Sequence, residues 1–227
     1  MTKNQDQRRR LFCILRRIIV PPWSDVESNL VPDMEVKMEK QPKYQVIYAD
    51  PPWRYQRKRG TGVAENHYPT MSIEELCALP VQTLADRDCA LFLWVTLPML
   101  REVWFVIESW GFQFKTVAFV WIKQNRKSSS LFWGMGFWTR SNAELCLLAV
   151  RGHPKRYSAG VHQVIMSHIE AHSKKPEEAR RRIEQLMGDV PRIELFARRK
   201  SPGWAVWGNE LESDIAFGKP CVPQKKE

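Results

Sequence analysis

From Lys43 onward, runs of consecutive apolar residues alternate with segments whose apolar residues recur every three or four positions, and few folds accommodate that rhythm. A continuous apolar run suits a strand buried on both faces, and the three-to-four spacing suits a helix with one buried stripe. Residues 46–49 and 89–95 read as buried strands, and residues 114–123 and 143–150 as two more. Between the first two, Ser72 and Glu75 form a capping-box pattern that opens a short helix. Pro98 opens a longer helix, with Met99, Val103, Val106, Ile107 and Trp110 on one face and Gly111 as its stop. Pro176 suits the first position of a late helix, where Glu177 and Glu178 complement the dipole. Ala179, Ile183, Leu186 and Met187 give that helix its stripe, and Gly188 ends it. Strands at 192–197 and 204–207 complete the order. The pattern predicts an α/β fold, with a mostly parallel sheet and helices on both faces.

Residues 1–42 break the rhythm. They carry the cluster Arg8-Arg9-Arg10 and the prolines 21, 22, 32 and 42, while Leu11, Ile14, Ile18 and Ile19 recur at helical spacing. This stretch reads as a basic N-terminal arm, followed by one domain over 43–211 and a C-terminal tail over 212–227. Lysine and arginine number 35 against 25 acids, a net charge of +10, which favours a polyanionic partner such as nucleic acid. Cys13, Cys77, Cys89, Cys146 and Cys221 include no C-x-x-C spacing, which points to a reducing cytoplasmic setting and away from a metal site. No apolar stretch is long enough to span a membrane, and Arg16-Arg17 interrupts the first apolar runs.

Open α/β sheets bind ligands at the carboxyl ends of their strands. Asp50-Pro51-Pro52-Trp53 stands directly after the first strand. The N6 amine of adenine is a poor nucleophile, because its lone pair is delocalised into the ring. Two acceptors that grip its N–H groups draw the nitrogen toward tetrahedral geometry and localise that pair. The Asp50 carboxylate supplies one acceptor and the Pro52 carbonyl the other, with Pro51 and Pro52 holding the chain extended so both stay aimed. Trp53 suits packing against an unstacked base. An earlier Pro21-Pro22-Trp23 has no acid before it and reads as structural. Arg57, Lys58 and Arg59 adjoin the tetrapeptide and suit phosphate contacts. The intervals 50–71 and 124–142 are too long for simple connections and read as functional loops.

These residues belong to a longer collinear pattern. Tyr48-Ala49-Asp50-Pro51-Pro52-Trp53, His67-Tyr68-Pro69-Thr70-Met71-Ser72, Leu91-Phe92-Leu93-Trp94-Val95 and Val120-Trp121-Ile122-Lys123 are followed by Asn142-Ala143-Glu144-Leu145-Cys146-Leu147. His172-Ser173-Lys174-Lys175-Pro176-Glu177, Ile193-Glu194-Leu195-Phe196 and Trp207-Gly208-Asn209-Glu210 complete it. Over residues 44–211 the chain resembles the MT-A family of adenine methyltransferases. The resemblance implies a Rossmann-like methyltransferase fold in permuted motif order, with the catalytic tetrapeptide early and much of the cofactor site late. It implies S-adenosyl-L-methionine as cofactor and no metal. Lys175 would then meet the methionyl carboxylate, Asn209 and Glu210 the ribose hydroxyls, and Phe196 and Arg198 the adenosine, with Asp50 shared between cofactor and substrate. Eukaryotic members often carry glutamine where Glu210 stands. Tyr68 would lie on a loop over the target base, and Glu144 on the substrate side. The expected activity is methylation of adenine N6 in nucleic acid, with DNA favoured over RNA because the compact chain resembles bacterial and phage members. Cytosine N4 or protein glutamine are rival acceptors, and a catalytically silent nucleic-acid-binding subunit is a rival of another class. The family's habit of pairing permits a homodimer or a heterodimer with a related subunit.

Overall fold

The computed structural model describes residues 42–55, 70–136, 138–170 and 173–215. The N-terminal arm over 1–42 lies outside these residues but for Pro42, as do Arg57, Lys58, Arg59 and Tyr68. The elements are β1 (Tyr44–Ala49), α1 (Ile73–Cys77), β2 (Ala85–Val95), α2 (Val103–Ser109), β3 (Gln113–Gln124), β4 (Ala143–Arg151), β5 (Val164–His168), α3 (Glu177–Met187), β6 (Arg192–Leu195) and β7 (Ala205–Trp207).

The seven strands form one sheet in the order β5-β3-β4-β2-β1-β6-β7. Pairing is parallel for β1 with β2 and β6, β6 with β7, and β3 with β5, whereas β4 runs antiparallel to both its neighbours. Six strands therefore share one direction and β4 opposes them. The expected Rossmann-like, mostly parallel sheet is what forms.

Side chains alternate across the strands and divide the core into two layers. Ile47, Ala49, Leu91, Leu93, Val95 and Leu147 join Leu76 of α1 and Val103, Val106, Ile107 and Trp110 of the α2 region. Val46, Tyr48, Ala90, Phe92, Trp94 and Cys146 face the other way, onto Ala179 and Ile183 of α3. Both faces of the sheet are thus covered along Val46–Ala49 and Cys89–Val95, which is why those stretches of β1 and β2 are apolar without interruption. The Ser72–Glu75 capping box closes in both directions at the start of α1. Trp110 Nε1 donates to the Leu76 carbonyl at 2.8 Å and ties the α2 end to α1.

Several details differ from the sequence-based expectation. The helix expected from Pro98 is split into a 3-10 turn at Leu97–Met99 and α2 at Val103–Ser109. Pro176 is the cap before α3 rather than its first residue, because its extended backbone (ψ 134°) is not yet helical. Strand β5 was not anticipated: Val164 and Met166 are exposed and only Ile165 is buried, so the edge strand lacks an apolar run. The fold also continues past the boundary expected at 211. Asp214 Oδ2 accepts from the Val206 N–H at 2.9 Å, and Ile215 is buried in the first layer.

Ile183 is the central apolar contact of α3 with the sheet. Ile183→Ala is expected to lower the unfolding free energy by about 2–5 kcal/mol. Urea denaturation reads this as a lower midpoint with an unchanged slope.

Candidate active site

Strand register places the ends of three parallel strands in one row. Ala49 pairs with Leu93 and Leu195, and Leu195 with Trp207. Asp50, Phe196 and Gly208 therefore follow on one edge of the sheet. Because β4 runs the other way, its start lies at that same edge, and Glu144 sits one step beyond the Val95–Leu145 pair. Lys175 precedes α3 and reaches the same place. The reversed strand is thus what delivers an acid from its beginning to a site built from strand ends.

Lys175 is the centre of the cluster. Its ammonium lies 2.8 Å from each carboxylate oxygen of Asp50 and 3.3 Å from Glu144 Oε2. It also stands 5.7 Å above the Trp94 ring. Glu144 Oε1 meets Lys123 Nζ at 2.5 Å, so Glu144 is held between two lysines. Lys175 is 8% exposed at its side chain and Asp50 26%, which leaves the aspartate as the open member of the pair. The backbone before Lys175 is bent: Ser173 has φ 61°, a left-handed conformation uncommon for serine.

Burial and pairing act in opposite directions on these groups. Burial pushes the Asp50 carboxyl above its usual value, and Lys175 offsets only part of that rise. Burial would raise Glu144 as well, but Lys175 and Lys123 together outweigh it and hold its carboxyl below 4.5. For Lys175 burial disfavours the charge, yet the attraction of Asp50 and Glu144 prevails and raises its pKa. The group is consequently a charged lysine between two carboxylates.

The tetrapeptide is pinned from below. Trp53 Nε1 donates to the Trp94 carbonyl at 3.0 Å, and the indole is 4% exposed. Trp53, anticipated as a base-packing residue, is placed in the core, where an apolar ring and a satisfied N–H belong. The Pro52 carbonyl, anticipated as the second acceptor, receives the Met71 N–H at 2.8 Å, while the Pro51 carbonyl receives the Trp53 N–H at 2.9 Å. Each oxygen keeps a second lone pair. The Arg54 N–H donates to the Met71 carbonyl at 2.9 Å, and the Arg54 side chain donates to the Thr70 carbonyl at 2.9 Å. Arg54 and Thr70–Met71 therefore meet beside the tetrapeptide.

The later candidates line the same edge. Phe196, with φ 62°, turns immediately after β6 and packs edge-on against Trp207, ring centres 5.3 Å apart. Asn209 and Glu210 are exposed after β7, and Arg198 lies 3.6 Å from Glu210. Gly208 allows this approach, since a Cβ there would stand 2.0 Å from the Ala197 carbonyl oxygen. Other basic residues are engaged in ion pairs. Arg180 pairs with Glu194 and Glu177, Arg182 with Glu178, Arg199 with Glu177, and Lys200 with Asp214. Arg151 ends β4 at the opposite edge, far along the sheet from Asp50. Lys123, a lysine closing an otherwise apolar strand, stands among the strand-end candidates of the sequence without a role; the structure pairs it with Glu144.

Among the described residues no group of three or more His, Cys, Asp and Glu side chains could hold a metal ion, and no helix is long and apolar enough to cross a membrane.

The MT-A70 family profile matches residues 44–210. The chain is 36% identical over 189 residues to the Type II methyltransferase M.MunI of Mycoplasma sp, covering 74% of this chain and 78% of that one. It is 32% identical over 192 residues to the human N(6)-adenosine-methyltransferase catalytic subunit METTL3, covering 82% of this chain and 31% of that protein. A Drosophila melanogaster N(6)-adenosine-methyltransferase MT-A70-like protein is 33% identical over 174 residues, covering 75% of this chain and 27% of its own. The chain thus spans about a third or less of these two animal relatives.

Glu144 carries a pH prediction. Its folded carboxyl lies below its unfolded value, so its stabilisation is present above pH 4.5 and is lost as pH falls through the folded value. The unfolding free energy of Glu144→Gln should fall short of the wild type near neutrality, and the gap should close on acidification. Urea melts across that range would refute the pairing if the gap stayed constant.

Proposed function

The chain belongs to the MT-A70 family of methyltransferases, and from that premise and the geometry at Asp50 we propose that it methylates the N6 amine of adenine in nucleic acid, using S-adenosyl-L-methionine. The observation that carries this reading is the Asp50 carboxylate, partly open at the end of β1 and gripped through both oxygens by Lys175. An acid so fixed is an acceptor aimed before substrate arrives.

The site's donor set suits the cofactor. An exposed amide and carboxylate, Asn209 and Glu210, match a ribose diol, and the left-handed turn at Phe196 sets an aromatic ring against Trp207 beside them. Lys175 and Asp50 offer one cation and one anion to a zwitterionic amino-acid end. When bound, the cofactor supplies an electrophilic methyl group. The protein's part is orientation: Asp50 accepts one N6 hydrogen, and a free lone pair on a carbonyl of Pro51 or Pro52 accepts the other. Trp53 keeps the tetrapeptide anchored, and Glu144 with Lys123 holds Lys175 in place. Tyr68 and Arg57–Arg59 would cover the base and its phosphates from the loop that returns at Thr70. DNA is favoured over RNA, since the chain covers far more of the Mycoplasma Type II methyltransferase than of METTL3. The intact tetrapeptide with its paired acid favours an enzyme over a silent binding subunit. Cys77, Cys89 and Cys146 are free thiols, in keeping with a cytoplasmic setting.

Asp50→Ala is expected to cut turnover by about 100-fold or more while the protein stays folded. A labelled-methyl assay on duplex DNA, single-stranded DNA and RNA reads the loss. Mass spectrometry of the digested product should show N6-methyladenine; turnover by Asp50→Ala at the wild-type rate would sink the assignment. Lys175→Met should abolish calorimetric binding of S-adenosyl-L-methionine, and retained affinity would remove Lys175 from the cofactor site.

A further inference from the structure

The connection from β3 to β4 is built yet presents large apolar side chains to water. Its root is fixed: the Lys123 N–H donates to the Asn142 carbonyl at 2.8 Å, and the Lys123 carbonyl accepts from the Phe132 N–H at 2.8 Å. Within it, Asn125 Nδ2 donates to the Ser130 hydroxyl at 2.9 Å and to the Leu131 carbonyl at 3.1 Å. The returning half closes tightly on itself. A Cβ on Gly134 would lie 1.9 Å from the Ser141 carbonyl oxygen, and one on Gly136 1.9 Å from that of Thr139. No side chain fits at either place. Despite this order, Trp133 is 75% exposed, Met135 71% and Trp138 99%.

Large aromatics on a tightly closed loop are not core residues in search of a core. The loop leaves the sheet at the edge that carries Asp50, because β3 ends and β4 begins there. Its root residue Lys123 bonds Glu144, which contacts Lys175, which grips Asp50. Arg126, Lys127 and Arg140 lie between Asn125 and Ala143, and no acid does. We propose that this loop is a strand-holding platform, on which Trp133 and Trp138 stack bases next to the target while Arg126, Lys127 and Arg140 meet the phosphates. Exposed aromatic faces interleaved with cations suit an unstacked strand, because every base has a face to stack and a phosphate every step. A second copy of the chain is a poorer occupant, since it carries the same +10 charge and would repel a basic surface. The inference rests on nucleic acid as substrate and adds how its flanking strand is held.

The test is anisotropy of short end-labelled DNA and RNA oligonucleotides with the full chain, without cofactor. Trp133→Ala with Trp138→Ala should weaken binding about tenfold or more on the strand that the wild type prefers, by loss of stacking. The paired phenylalanine replacements keep a ring and should bind within a few fold of wild type. Trp138→Ala alone, at the most exposed position, serves if the double variant fails to fold. Replacing Arg126, Lys127 and Arg140 with glutamine should flatten the salt dependence. If the alanine variants bind as tightly as wild type, the platform is wrong while adenine methylation still stands. If they instead sediment as a smaller particle with unchanged binding, the loop is a subunit interface and the proposal falls. If the wild type binds no oligonucleotide, the platform and the substrate reading fall together.

Discussion

The Lys175 ammonium, held by Asp50 and Glu144, is the joint on which the site depends. It fastens the end of β1, the start of β4 and the approach to α3 at one point. A lysine so deeply placed is tolerated because two carboxylates compensate it. Lys175 in turn compensates Asp50 and shares Glu144 with Lys123. Removing Lys175 leaves the Asp50 carboxylate uncompensated in a poorly hydrated place, whereas Glu144 keeps Lys123. Lys123 adds the fourth charge and makes the group formally neutral. Asp50 is the least buried of the pair, and this asymmetry turns a structural ion pair into a surface that a ligand can reach.

Beneath the charges lies a polar thread through an apolar layer. Trp94 Nε1 donates to the Tyr48 hydroxyl at 2.7 Å, and the Trp94 carbonyl receives Trp53. Arg180 lies 5.6 Å from the Tyr48 ring and forks onto both oxygens of Glu194 at 2.8 and 2.7 Å. Burial drives the Tyr48 phenol well upward and so keeps it protonated. The buried indole and guanidinium donors in this thread find acceptors, which is the condition under which polar groups specify a core rather than weaken it. The consequence for function is rigidity: the tetrapeptide is bolted through Trp53 to β2, and α3, whose approach carries Lys175, is bolted through Arg180 to β6.

The family relationship and the geometry answer different questions. Likeness across residues 44–210 says to which family of methyltransferases the chain belongs. The geometry says which atoms of the candidate site are open and which are engaged. It moved Trp53 from the substrate side into the core and committed one lone pair of each proline carbonyl to the main chain. It also gave Glu144 a definite place, between two lysines at the edge where β4 begins.

The alternation of strands and helices, the capping box at Ser72, the halt at Gly188 and the place of Asp50 directly after a strand are legible in the chain alone. These are local properties: apolar runs, hydrogen bonds between near neighbours, and the restricted backbone of two prolines. Long-range contacts set the reversed direction of β4, the edge strand over residues 164–168 and the meeting of Lys175 with Asp50 across 125 positions. Strand direction is chosen by the partner a strand finds. A half-exposed edge carries too few apolar residues to announce itself. The attraction between two charges depends on their distance in space, and no local pattern records that distance.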